Sequence, residues 1–250
     1  MKKTLFMLAA GALAAANAQA AVINVNLTSV TQIRSDNMTK NYGSDGSLIV
    51  GKTTAPGILR GLLATSLSAV PTGATINSVT LTLTVIGTGS TTNTGGAVNI
   101  NLHQLTSTFT EGTGDASGNS ANDATWNNRT TGTPWTTAGG DFSAGLLSSA
   151  SDDPTTGSVA GSETLVFASS SAFVAAAQTA LDSSTNLSLL LKLNNTSEGE
   201  NLRRAFFYAS DDYGTVEYRP FLTIDYTIPE PTSAVLALSG LGLLAIRRRR

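Results

Sequence analysis

From Val79 to Val85 every second residue is apolar and every residue between them is threonine. That period of two sends alternate side chains to opposite faces of an extended strand, one face to a core and one to solvent. Thr75–Val85 therefore reads as a strand, and Val98-Asn99-Ile100-Asn101-Leu102 repeats the period. Leu187 to Leu193 is a nearly continuous apolar run, the pattern of a strand buried on both faces. Phe221–Tyr226 reads as the last strand. Turn-rich stretches of Ser, Thr, Gly and Asn separate these runs, so the chain predicts an all-β body, a β-sandwich of jelly-roll-like type. One short helix is expected among the strands. Ser171 is read as its cap, with Phe173, Val174, Ala177 and Leu181 on one face, plugging one end of the sandwich.

Both ends of the chain carry membrane-directed patterns. Lys2 and Lys3 precede an apolar stretch from Leu5 to Ala16, and Ala18-Gln19-Ala20 supplies the small-x-small pattern that a signal peptidase cuts. Residues 1–20 thus read as a signal helix, with the mature chain starting at Ala21. At the other end, Pro229-Glu230-Pro231 precedes the apolar segment Ala234–Ile246, and Arg247, Arg248, Arg249 and Arg250 follow. Thirteen residues make a helix about 20 Å long, short of the roughly 30 Å hydrocarbon core of a bilayer. Such a hydrophobic helix suits transient insertion in the inner membrane, with the arginines on the cytoplasmic side and the body outside. The organisation expected is a signal peptide (1–20), a β body (21–227) and a tail (228–250).

The order Pro229-Glu230-Pro231, short apolar segment with Gly240 and Gly242, arginine cluster resembles a PEP-CTERM sorting signal. The resemblance implies that an exosortase recognises and processes the tail in a Gram-negative bacterium that makes extracellular polysaccharide. It places the protein in the secreted or cell-envelope fraction.

Charge and composition narrow the partners. Between the signal and the terminal arginines, nine Lys and Arg stand against seventeen acids, a balance of −8. An acidic, aromatic-poor body argues against nucleic acid and anionic membrane surfaces. The chain has no cysteine, which excludes disulfides, a thiolate nucleophile and a zinc–thiolate site.

Several segments of the body resemble the DNRLRE-type domain, related to a carbohydrate-binding module family that recognises alginate-like polysaccharides. They are Asp36-Asn37 with Asn41-Tyr42-Gly43-Ser44, Arg60-Gly61-Leu62-Leu63 with Pro71-Thr72-Gly73-Ala74, Thr110-Glu111-Gly112 with Ala124-Thr125-Trp126-Asn127, and Arg219-Pro220. The resemblance implies a sandwich that binds acidic polysaccharide.

Carbohydrate binding asks for exposed aromatic faces with polar groups around them. Trp135, Tyr42, Tyr208 and Tyr213 are candidates, with Arg60, Arg129, Arg203 and Arg219 as forks for a uronate carboxylate. Trp135, in a polar stretch between Pro134 and Thr136, is read as exposed and Trp126 as core. Asp36, Asp45, Asp211 and Asp212 lie in loops of the kind that ligate calcium. The expected activity is non-enzymatic. The alternatives are a polysaccharide hydrolase or lyase using Glu111, Asp115, Asp123 or Asp141, and a purely structural or adhesive surface protein. His103 is the sole histidine and is read as structural. It is expected on the face opposite Asn99 and Asn101 unless a bulge intervenes.

Overall fold

A computed structural model describes residues 19–53, 57–88, 96–115, 123–153, 160–161 and 163–229. The expected signal helix and C-terminal hydrophobic helix lie outside the described residues. The strands are β1 (Gln19–Asn26), β2 (Ser29–Arg34), β3 (Ser47–Lys52), β4 (Ile58–Ser66), β5 (Thr75–Thr88) and β6 (Val98–Leu105). They continue with β7 (Asn128–Thr130), β8 (Thr133–Pro134), β9 (Phe142–Asp152), β10 (Thr164–Phe167), β11 (Asn186–Leu193), β12 (Arg204–Ala209) and β13 (Phe221–Ile228). Two helices, α1 (Ser171–Asp182) and α2 (Asn195–Gly199), flank β11. The fold is all-β, as the alternation predicts.

Eleven strands form one curled antiparallel sheet in the order β1-β13-β5-β12-β3-β4-β11-β6-β9, with β10 added to β5 and β2 to β4. β5 is the strand that turns the sheet back on itself. Its first part pairs with β13, Leu81–Thr84 pairs with β10, and Val85–Thr88 passes to β12. The two halves so formed enclose the main core. Val79, Leu81, Leu83 and Val85 enter it from β5, Leu189, Leu191 and Leu193 from β11, and Leu222, Ile224 and Tyr226 from β13. Burying apolar area at about 25 cal/mol per Å² is what holds a cysteine-free body closed.

Helix α1 adds Phe173, Ala176, Ala177, Ala180 and Leu181 to that core, and Val174 packs half-buried beside them. Its cap is Ser170 rather than Ser171: the Ser170 hydroxyl accepts from the Phe173 amide at 3.0 Å. A one-residue shift of this kind turns on which serine takes the extended backbone of the cap, and Ser170 does so with φ −136° and ψ 163°. Gln178 ties α1 to the start of β5, accepting from the Ile76 amide at 2.8 Å and donating to the Ala74 carbonyl at 3.1 Å.

Candidate functional site

The half of the sheet built from β4, β11 and β6 has two buried faces. Leu63, Leu189, Leu191, Ile100 and Leu102 point into the main core. The alternate residues Leu62, Leu190 and Leu105 point the other way, where the long connection between β6 and β9 folds back over them. That connection brings Ala124, Trp126 and Trp135 onto Ile33, Leu62, Leu105 and Leu190, a second and smaller core. Its anchor is Asn41, fully buried. The Asn41 amide donates to the carbonyls of Glu111 (2.6 Å) and Ala124 (2.9 Å), and its oxygen accepts from the amides of Gly43 (3.1 Å) and Gly114 (2.8 Å). Gly43 lets the two backbones approach, since an added Cβ would stand 2.3 Å from the Gly112 carbonyl oxygen.

On this outer face the charged residues form one connected group. Arg60 donates through Nε to Glu198 Oε1 at 3.0 Å and through Nη2 to Oε2 at 2.9 Å. Lys192 Nζ lies 3.2 Å from Glu198 Oε2 and donates to Asn195 Oδ1 at 2.7 Å. Helix α2 sets Glu198 in place. Asn194 caps its start, and Lys52 donates to the carbonyls of Glu198 and Glu200 at its end. The guanidinium of Arg60 lies 5.2 Å from the Trp126 ring and 5.4 Å from the Phe142 ring, and Nη1 donates to the Gly139 carbonyl at 2.9 Å. Gly139 has φ +94°, and a Cβ there would meet Trp126 at 2.7 Å, so both its conformation and its space demand glycine. Burial draws Lys192 below the usual lysine range, an effect that Glu198 opposes.

His103 stands beside this group. The register of β6 with β11 is unbroken through Lys192↔Asn101 and Leu190↔His103, so His103 shares the face of Asn101 rather than opposing it. The irregularity falls in the pairing of β6 with β9, where His103 aligns with Leu146 after Leu102 aligns with Ser148. The Nδ1 of His103 lies 3.0 Å from the Ser143 carbonyl, and its ring is 5.0 Å from Phe142. Burial lowers its pKa, which keeps the ring neutral at pH 7.

Over the group opens a cavity of about 520 Å³ lined by Arg60, Thr106, Ser107, Thr136, Thr137, Asp141 and Phe142. Its volume lies in the range of small-molecule sites. Hydroxyls and one aromatic ring dominate the wall. Burial acts to raise Asp141, but the amides of Thr136 and Thr137, each donating at 2.9 Å, outweigh it and hold the carboxylate below its usual range.

The residues expected to bind sugar are distributed differently. Arg60 lines the cavity, but Trp135 is buried at 4% exposure, its indole N–H donating to the Thr125 carbonyl at 2.9 Å. The polar sequence around Trp135 suggested an exposed ring; residues distant in sequence cover it. Tyr42 is buried as well, with the Arg34 guanidinium 5.6 Å above its ring. Tyr208 is buried and donates to Asp152 at 2.7 Å. Arg129 donates to the Thr108 carbonyl and Arg219 to the Tyr213 carbonyl. Phe142, Thr106 and Glu198 carried no local signal that would have singled them out.

Nor do the four calcium candidates gather. Asp36 pairs with Arg34 at 2.9 Å, Asp45 accepts from the Ser47 amide and hydroxyl, and Asp212 is exposed. Among the described residues no group of three or more His, Asp or Glu side chains is placed to hold a metal ion. Asp211 instead lies beside Glu111, close enough for the two carboxyls to perturb each other's ionisation. Burial and the charge of Asp211 push Glu111 up to about 8, against the Val30 amide that donates to Oε1 at 2.7 Å. Burial raises Asp211 too. Like charges on neighbouring carboxyls disfavour ionising together, so the pair retains a proton to higher pH. Of the other acids considered, Asp141 is engaged by Thr136 and Thr137, Asp123 packs on Gly112, and Asp115 is exposed.

The two ends of the body lie side by side. β1 pairs with β13 in the register Gln19↔Ile228, Ala20↔Thr227, Ala21↔Tyr226, through to Asn26↔Phe221. Pro229 follows the last paired residue directly. Ala18, Glu230, Pro231 and Arg247 to Arg250 lie outside the described residues. Residues 227–250 match the model of the PEP-CTERM protein-sorting motif. No curated protein is similar enough to the chain to count as a match. The motif marks an exported protein, sorted to the envelope through an exosortase, as in Gram-negative bacteria.

Proposed function

We propose that this protein is a non-catalytic component of the cell surface or extracellular matrix that associates with polysaccharide. Signal peptidase cuts it between Ala20 and Ala21, and the tail holds it briefly in the inner membrane until an exosortase acts. The observation that carries the reading is the sorting motif over residues 227–250, behind a closed β body.

The cavity above Arg60 and Phe142 supports saccharide association. It offers hydroxyls for hydrogen bonding, one ring for C–H faces, and volume for a sugar unit. Trp126 touches Arg60 beneath it and serves as a built-in reporter. Titrating the processed protein with acidic and neutral polysaccharides should change tryptophan fluorescence saturably, and Phe142→Ala should weaken the response. No response from either polysaccharide class would refute the association. Release of reducing ends, or a rise in unsaturated-uronate absorbance, would refute the non-catalytic assignment.

A further inference from the structure

The strand pairing at the two ends of the body bears on the order in which they are processed. Among the described residues β1 has β13 as its partner strand, while β13 lies between β1 and β5. Thr227 pairs with Ala20 on one side and Thr75 on the other; Ile228 pairs with Gln19. Gln19 and Ala20 belong to the signal side of the expected cut. The residues that complete the ladder next to the sorting motif are therefore the two that leave with the signal peptide.

Two consequences follow from backbone chemistry. A bond held inside a paired β-ladder has its amide and carbonyl groups engaged and its chain fixed, so Ala20–Ala21 is open to a peptidase only before β1 docks. Once water has added across that bond, leaving a carboxylate on Ala20 and an ammonium on Ala21, the docked strand starts opposite Tyr226. Thr227 and Ile228 then keep an extended course with backbone groups unpaired on the β1 side. Such an edge is a template for a partner that adds a strand. It runs straight into Pro229, which lacks an N–H and ends the ladder.

We infer that removal of the signal uncovers Thr227 and Ile228 as the docking strand for the exosortase, so that signal cleavage must precede tail processing. The inference rests on the proposed cut after Ala20.

The test is a pulse-chase of the full-length chain in an exosortase-bearing host, with N-terminal sequencing of each product. Inserting a threonine–valine pair between Ala20 and Ala21 leaves the peptidase site in place and lengthens mature β1 so that it still covers Thr227 and Ile228. Tail processing should slow about tenfold, the effect of competing against two backbone hydrogen bonds. An inserted asparagine–proline pair, which cannot complete the ladder, should be processed at the wild-type rate. Unchanged processing of the threonine–valine variant, with its signal removed and its melting temperature preserved, overturns the inference while leaving the sorting assignment intact. A wild-type product that begins at Gln19 or earlier overturns the signal reading and the inference with it.

Discussion

Arg60 and Glu198, 138 residues apart in the chain, meet fork to fork through hydrogen bonds of 3.0 and 2.9 Å at 13% and 10% side-chain exposure. Lys192, at 2% exposure, shares the same carboxylate. Two cations thus depend on one anion on a covered face of the sheet. Removing the anion leaves both without compensation, the situation in which a buried ion pair matters most. We expect Glu198→Gln to cost about 3–5 kcal/mol in urea unfolding. Glu200→Gln, which breaks the contact of a half-exposed carboxylate with Arg204, should cost less than about 1 kcal/mol.

Trp135 separates packing from binding. Its ring belongs to the second core with Leu62, Leu105 and Leu190. Trp135→Ala should therefore destabilise by about 3–5 kcal/mol, the usual cost of truncating a buried aromatic. Trp135→Phe, which keeps most of the volume but orphans the Thr125 carbonyl, should unfold at lower urea yet retain the polysaccharide response. Loss of the response in a folded Trp135→Phe protein would restore the ring to the binding surface.

The Glu111–Asp211 pair should give stability an alkaline-side dependence. Glu111 is raised from 4.5 to about 8 in the folded state, so between those values the folded chain binds more protons than the unfolded chain. Its contribution is present in full below pH 4.5 and is lost as pH rises through about 8. Asp211 shifts in the same direction. Glu111→Gln keeps an acceptor for the Val30 amide without the titration. Melting temperatures measured from pH 5 to 9 should decline for the wild type and stay flatter for the variant.

Helix α1 offers a comparison of two adjacent serines. Ser170→Ala removes the hydroxyl that caps Phe173 and should cost about 1 kcal/mol, whereas Ser171→Ala should fall within about 0.5 kcal/mol of wild type. Equal effects in thermal unfolding would contradict the observed cap.

Much of the fold was legible because it is written in local periodicity. Val79 to Val85 announces its strand and its buried face. Leu187 to Leu193 announces a strand covered on both sides, which the second core supplies. The site was less legible. Asn194 to Gly199 is too short and too polar to show a helical period, yet α2 positions Glu198. Trp135 stands among polar neighbours in sequence, and its burial depends on β2, β4 and β11. His103, expected opposite Asn99 and Asn101, shares their face, as an unbroken period of two from Val98 requires, and its register with β11 fixes it beside Asn101 and Lys192.

By itself the sequence determined what depends on neighbours along the chain: strand periods, the charge balance, the absence of cysteine, and the proline, apolar and arginine order of the tail. Tertiary structure decided what depends on residues brought from far apart. It set Glu111, a candidate acid of the enzymatic alternative, beside Asp211, a candidate calcium ligand, and Gln19 and Ala20 against Ile228 and Thr227. Hydrogen bonds and ion pairs act over a few ångströms, and only the folded sheet brings such residues within that reach.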